Sequence, residues 1–254
     1  MLLCFFSAFT SVVKQGIEAR APSIVCNLLR LCTCGRYQVQ GGLHSFPLSA
    51  QGSKGVPFMR ILIACEYSAI VRDAFLAKGH DAYSCDMLPT EGDPSRHLQG
   101  NVLPLLAKGW DMMIAHPPCT YLTNAGVCHL YTRPNRWKDL IEGAVFFRTL
   151  LHAPIPRIAI ENPIMHKYAV QIVGQRQSQV IHPWMFGHME QKATGLWLKG
   201  LPLLAETENV KRAMLQLPAN QRQRLHYLSP SEDRWKERSR TFAGVAKAMA
   251  AQWG

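Results

Sequence analysis

From Met59 to its end, the chain alternates short apolar runs with longer stretches whose apolar residues recur at helical spacing. No other feature restricts the fold as strongly. Arg60 to Cys65 (RILIAC) has the length of a buried strand, and Ile70 to Ala77 puts apolar residues at 70, 71, 74, 75 and 77, along one helix face. Ala82 to Cys85 reads as a second strand ending in Asp86, and Asp111 to Ala115 (DMMIA) and Arg157 to Ile160 (RIAI) read as two more. Between those last two, Leu140, Ile141, Ala144, Val145, Phe147, Leu150 and Leu151 fall at helical spacing. Parallel strands need a crossover between them, so this alternation predicts βαβ units: an α/β fold with a mostly parallel sheet flanked by helices. Ligands of such sheets bind beyond the carboxyl ends of the strands. That rule selects Glu66 to Ser68, Asp86, His116 to Cys119 and Glu161 to Pro163.

Residues 1–58 break the pattern. They hold four of the eight cysteines, one acidic residue (Glu18) and the run GGLHSFPLSAQGSKGVPF, a linker-like mixture of Gly, Ser and Pro. The expectation is a poorly ordered N-terminal extension, with Met59 the natural start of a catalytic domain over 59–254. The cysteines form no C-x-x-C pair and lack the paired spacing of a zinc site, so neither a disulfide framework nor a metal is expected. A reducing, cytoplasmic setting follows as the default. No stretch approaches the ~20 apolar residues of a bilayer span, and the apolar start Met1 to Val13 lacks the basic lead of a secretory signal. The net charge of +11 favours a polyanionic partner such as nucleic acid. Segment 1–58 carries five Lys or Arg and one acid, so the basic bias survives its removal.

Two strand ends carry the chemistry. DMMIA runs into His116-Pro117-Pro118-Cys119-Thr120, where two prolines make a stiff, extended loop and hold a cysteine at a strand tip. RIAI runs into Glu161-Asn162-Pro163, which places a carboxylate just past an apolar strand. Taken singly, Cys119 is more often a small buried hydrophobe than a catalyst, and Glu161 reads as well as a capping or solvated group.

Taken together, the pair resembles the DNA cytosine-5 methyltransferase family, and most closely its small phage or prophage members. The nucleophile of that family lies in a Pro-Cys loop, and its catalytic Glu lies in an ENV-type motif after the next strand. Pro118-Cys119 and Glu161-Asn162-Pro163 stand 42 residues apart with one helix between them, and the likeness spans 59–254. It implies a Rossmann-like methyltransferase fold using S-adenosylmethionine, with DNA as partner. By this resemblance Cys119 adds as a thiolate to C6 of a flipped cytosine. Glu161, kept partly protonated by burial, hydrogen-bonds the base near N3 and N4, and Asn162 orients the loop around it. For the cofactor the resemblance implies Glu66, Tyr67, Ser68, Asp86, Asn101 and Pro117, with Asp86 towards the ribose hydroxyls.

The chain also departs from that pattern. The F-x-G-x-G-type turn is replaced by Tyr67-Ser68-Ala69-Ile70-Val71, without either glycine, although the helix start is still expected to offer backbone N–H groups. Gln191 and Lys192 stand where a Gln-x-Arg-x-Arg motif is expected, without its arginines; the surrounding segment reads equally as an amphipathic hairpin. Ser239 to Phe242 are expected to border the cofactor, ahead of a last helix running through Trp253. In place of a large target-recognition domain stands a basic insertion over about 201–240. Its Arg222, Arg224, Arg234, Lys236 and Arg238, interleaved with Tyr227 and Trp235, are candidates for phosphate contact and base stacking. Two other readings stay open. His116-Pro117-Pro118-Cys119 is a distorted form of the Asp/Asn-Pro-Pro-aromatic loop of amino-methyltransferases acting on adenine N6 or cytosine N4. The missing glycines and arginines suit a catalytically silent nucleic-acid-binding protein on the same scaffold.

Overall fold

A computed structural model describes residues 58–254; the extension expected over 1–58 lies, Phe58 apart, outside the described residues. The sheet has seven strands: β1 (Arg60–Ala64), β2 (Asp81–Asp86), β3 (His97–Gln99), β4 (Met112–Ala115), β5 (Arg157–Pro163), β6 (Gln179–Ile181) and β7 (Thr194–Lys199). Their order is β3-β2-β1-β4-β5-β7-β6. Strands β1 to β5 pair in parallel, while β7 runs antiparallel to both β5 and β6. The helices are α1 (Ile70–Leu76), α2 (Asn124–Val127), α3 (Arg136–Leu151), α4 (Lys167–Val173), α5 (Lys211–Leu215), α6 (Ala219–Arg222), α7 (Arg224–Tyr227), α8 (Arg234–Ser239) and α9 (Ala243–Trp253). This is the α/β, mostly parallel, Rossmann-like arrangement expected of a methyltransferase fold.

The sheet carries a core on each face because the central strands β1, β4 and β5 hold unbroken apolar runs (ILIA, MMIA, IAI), as a doubly covered parallel sheet requires. Ile61, Ile63, Met112, Ile114 and Ala159 point to the side of α1 and α9, where Val71, Phe75, Val245, Met249 and Trp253 meet them. Leu62, Ala64, Met113, Ala115, Ile158 and Ile160 point to the side of α3 and α4, against Ala144, Phe147, Leu150, Ala169 and Val173. Trp197 of β7 is wholly buried there, its ring 4.9 Å from that of Phe147. Each such side chain contributes roughly 1.5–3 kcal/mol by leaving water, so the strand framework is firmly fixed.

Two findings depart from the sequence reading. Strand β3 was not legible: it is three residues long, lies at the sheet edge and is mostly polar. Strand β5 also runs three residues past RIAI, through Glu161, Asn162 and Pro163, because β7 continues to pair with it there (Glu161↔Leu196, Asn162↔Gly195, Pro163↔Thr194). The candidate Glu therefore lies within a strand. The segment 179–199 forms two strands, since β6 and β7 pair antiparallel and complete the sheet.

Candidate active site

The strand order reverses between β1 and β4, and the chain's candidate groups gather at the carboxyl ends around that point. Ala115 of β4 is in register with Ile160 of β5, so His116 and Glu161 are the next residues along on neighbouring strands. Their side chains meet: His116 Nδ1 lies 3.1 Å from Glu161 Oε2. The His116 backbone N–H donates to the Ala64 carbonyl, which ties the same residue to β1. After it, Pro117 and Pro118 have no N–H and end the ladder. Asn162 takes over the tie, its buried Nδ2 donating to the Pro117 carbonyl at 2.9 Å. Asn162, expected to orient the loop around Glu161, instead bonds to the loop that carries Cys119.

The loop is braced further on. Leu122 N–H donates to the Cys119 carbonyl, and His166 N–H donates to the Leu122 carbonyl. Gly126 in α2 lies so close that a Cβ there would collide with the Thr120 carbonyl. Cys119 itself is partly buried. Burial first, and then the Glu161 charge, hold its thiol above the usual cysteine range, while the charges of Lys192 and Arg238 act the other way.

Glu161 corrects one expectation. It was to be kept partly protonated by burial. Burial does push its pKa up, but the hydrogen bond from His116 and the positive charges of Lys192 and His116 outweigh it, and the carboxyl lies below its ordinary value. His116 moves the opposite way: burial lowers it, yet the bond to Glu161 and the charges of Glu161 and Glu66 leave it raised. Both shifts favour an imidazolium beside a carboxylate. His116 Nε2 and Asn162 Oδ1 are buried with no partner among the described residues.

The β1–β2 side is arranged differently. Glu66 is buried, and its carboxylate accepts the N–H groups of Val71 and Arg72 at 2.7 and 3.2 Å and the Ser68 hydroxyl at 3.3 Å. This corrects the expectation that the start of α1 offers N–H groups to a ligand, because Glu66 already occupies them. Burial nonetheless holds the Glu66 carboxyl above its ordinary value. The missing glycines are compensated conformationally: Ala69 and Cys65 adopt left-handed φ of 64° and 58°, a conformation that costs a non-glycine residue about 1–2 kcal/mol. Tyr67 is buried, with its ring 6.0 Å from that of Trp235 and its hydroxyl 3.2 Å from both the Lys236 carbonyl and Ser239 Oγ. Asn101 is exposed and turns its Oδ1 to its own loop, accepting Leu103 N–H. Asp86 accepts Leu88 N–H through one oxygen and remains half-exposed, beside the exposed Met87. A half-exposed carboxylate at a parallel strand tip, next to apolar surface, fits the ribose side of a nucleoside-bearing cofactor.

The insertion arches over this surface. Glu190 accepts Leu225 N–H, Lys192 Nζ donates to the Arg238 carbonyl at 3.2 Å, and Arg240 pairs with Glu91 at 2.6 Å. Its basic residues divide accordingly. Arg222 and Arg234 are half-buried and donate to the Leu217 and His226 carbonyls, so they hold the insertion together. Lys236 pairs with Asp233, and Arg224 lies 3.9 Å from Glu190. Arg238 is exposed and acts electrostatically on Cys119. Lys192, Arg240, Thr241 and Phe242 share with Glu161 the lining of a small cavity of about 20 Å³. Sequence reasoning passed over His116 as a partner for Glu161 and Lys192 as a charge facing Cys119. The signal for His116 was present, since DMMIA and RIAI are each followed at once by an ionisable residue. Among the described residues no cluster of three or more His, Cys, Asp or Glu could hold a metal, and no helix is long and apolar enough to cross a membrane.

No family model and no curated protein matches the chain. Among solved structures it is similar to EhMeth, a methyltransferase of Entamoeba histolytica, at 12% identity and a TM-score of 0.43, covering 61% of this chain and 58% of that one. A protein described as a DNA modification methyltransferase encoded within a prophage of E. coli is similar at 15% identity and a TM-score of 0.37, over 63% and 56%. The Dnmt2 methyltransferase of S. pombe is similar at 13% identity and a TM-score of 0.38, over 71% and 62%. The chain thus spans less than two thirds of the length of each. At these identities the likeness concerns the fold, and no residue role is taken from it.

Proposed function

We propose that residues 59–254 form an S-adenosylmethionine-dependent methyltransferase acting on C5 of cytosine in DNA. The observation that carries this reading is the pairing of Cys119 with Glu161 at neighbouring parallel strand tips, tied together by the Asn162–Pro117 bond. C5 of cytosine is a poor nucleophile, and a thiolate adding at C6 makes it an enamine. Cys119 supplies the sulfur. Its thiol is protonated at rest, so Lys192 and Arg238 are the groups that favour its ionisation. Glu161 holds the amino and N3 edge of the base, and Lys192, beside it, opposes negative charge there. The base must leave the duplex to reach this pocket. Asp86, with Glu66, Tyr67, Ser68, Asn101 and Pro117 around the same strand tips, would hold S-adenosylmethionine, which supplies an electrophilic methyl group when bound. The basic charge of the chain and the exposed Arg224, Arg238 and Trp235 of the insertion support a nucleic-acid partner.

The test is a trap. Incubation with S-adenosylmethionine and DNA containing 5-fluorocytosine, whose fluorine blocks the final elimination, should give a covalent adduct with the wild type and none with Cys119→Ser. Absence of an adduct from the wild type, with cofactor bound, sinks the reading. One observation favours a second reading, a nucleic-acid-binding protein without turnover: Glu66 occupies the α1 N–H groups, leaving a cofactor fewer donors. The amino-methyltransferase reading gains nothing comparable, since His116, its would-be polar residue, is engaged by Glu161.

A further inference from the structure

We infer that His116 is a positioning residue for Glu161, holding one carboxylate oxygen and resupplying the proton that Glu161 gives to the ring nitrogen of the base. This role rests on the cytosine-5 reading. His116 is set at the tip of β4, opposite Glu161 in register, with its backbone bonded to β1 and its Nδ1 3.1 Å from Glu161 Oε2. Both side chains are largely buried, at 8% and 15% exposure, so water does not compete for the bond. Among the described residues the imidazole has no other hydrogen-bond partner, as Nε2 is buried and unbonded there. Its orientation is therefore given over to Glu161.

The charged groups facing the imidazole come from three elements: Glu66 after β1, Glu161 in β5 and Lys192 ahead of β7. Two carboxylates against one lysine favour the imidazolium, which agrees with the raised His116 and lowered Glu161. A carboxylate alone accepts from the exocyclic amino group of cytosine but has no proton for N3. When the Cys119 sulfur bonds to C6, the C5–C6 π pair moves into the ring and electron density accumulates at N3. The Cys119 thiol proton is released to solvent as the bond forms, the Nδ1 proton of His116 passes to Glu161 Oε2, and Glu161, protonated in this way, donates to N3. Once C5 carries the methyl group that a bound S-adenosylmethionine would supply, the proton at C5 goes to solvent as the thiolate leaves C6, N3 returns its proton to Glu161, and Nδ1 recovers its own. No oxidant or further reactant is needed.

The experiment measures the rate of adduct formation on 5-fluorocytosine DNA against pH for the wild type, His116→Asn and His116→Ala. Asn keeps a donor near the Nδ1 position but cannot transfer a proton. The wild-type rate should fall with one proton as pH rises through the His116 pKa. In His116→Asn the adduct should form about a hundredfold more slowly and the fall should move to lower pH, where Glu161 titrates alone; His116→Ala should also bind the DNA more weakly. Nitrogen NMR of His116 in the free wild-type protein is independent of catalysis and of how the variants fold. It should find Nδ1 protonated and the ring cationic above the ordinary histidine range. A neutral ring with bare Nδ1 overturns the role, as does a His116→Asn profile that matches the wild type. A wild type that forms no adduct at any pH removes the cytosine-5 reading and this role with it, an outcome distinct from loss of the His116 effect alone.

Discussion

At the tips of β4 and β5 the polar side chains bond across strands, His116 to Glu161 and Asn162 to the Pro117 carbonyl. At the tips of β1 and β2 they bond within their own turns, Glu66 to Val71 and Arg72, and Asp86 to Leu88. Cross-strand bonds fix the geometry between groups that must react together. Bonds within a turn fix only the turn, and they consume donors that a ligand would otherwise use. The first pair of tips is therefore tied together in advance, as the proposed reaction centre requires, and the second is organised chiefly as a scaffold.

Substitutions that strike one side and spare the other test this contrast. Cys119→Ser should give the largest effect, a loss of turnover on the order of 10³-fold or more in a steady-state methylation assay. Its melting temperature and cofactor affinity should stay close to wild type; a collapse of cofactor binding would make Cys119 a structural residue instead. Glu66→Ala should do the reverse. It leaves two buried N–H groups without acceptors, costing about 2–5 kcal/mol, or about 5–15 °C in a melting curve for a domain of this size. Unchanged stability would mean that the turn, and not the carboxylate, holds α1.

Asn162→Ala should fall between them. The lost bond to Pro117 should cost about 1–3 kcal/mol, and turnover should drop roughly 10- to 100-fold as the Cys119 loop loses its setting. The His116–Glu161 pair should leave a pH signature in stability. Glu161, held below its ordinary 4.5, contributes stability present above that value and lost as pH falls through its lowered pKa. His116, held above its ordinary 6.5, contributes stability present below that value and lost as pH rises through its raised pKa. The stability gap between wild type and His116→Asn should thus be widest between about pH 4.5 and 6.5, which denaturant titrations across pH would measure. Glu91→Gln should have the smallest effect, within about 0.2–1 kcal/mol, because its ion pair with Arg240 is part-exposed on both sides. A larger drop would show that the insertion is clamped to the β2 side more firmly than its contacts indicate.

The parts legible in the sequence were those governed by apolar periodicity and by residues that follow a strand directly. Strands β1, β2, β4 and β5, helices α1, α3 and α9, and the placing of Cys119, Glu161, Asn162 and Asp86 all follow from such patterns. Strand β3 has no such pattern: His97 is fixed by Ser84 Oγ at 2.8 Å and by the Leu88 carbonyl, contacts set by folding and not by periodicity. The direction of the Glu161 shift was not legible because only burial can be read from a strand end, and the imidazole facing it is known only once the β4–β5 register is known. The basic insertion was read as one charged surface. Whether an arginine meets solvent or a neighbouring carbonyl depends on how α6 to α8 coil, which the spacing of charges does not record.

The Asn162 bond also separates two kinds of stability at the site. Glu161 and Asn162 are held by backbone pairing with β7, and releasing them means peeling the strand from the sheet. The Cys119 segment is held past its prolines by a side-chain rung and by the Leu122 and His166 amides, so it can detach while every strand stays paired. In amide exchange the Leu122 and His166 protons would then be lost through a local opening of small free energy. The amides of β5 and β7 would wait for global unfolding. Cys119 and Glu161 would then belong to separate cooperative units of the same protein.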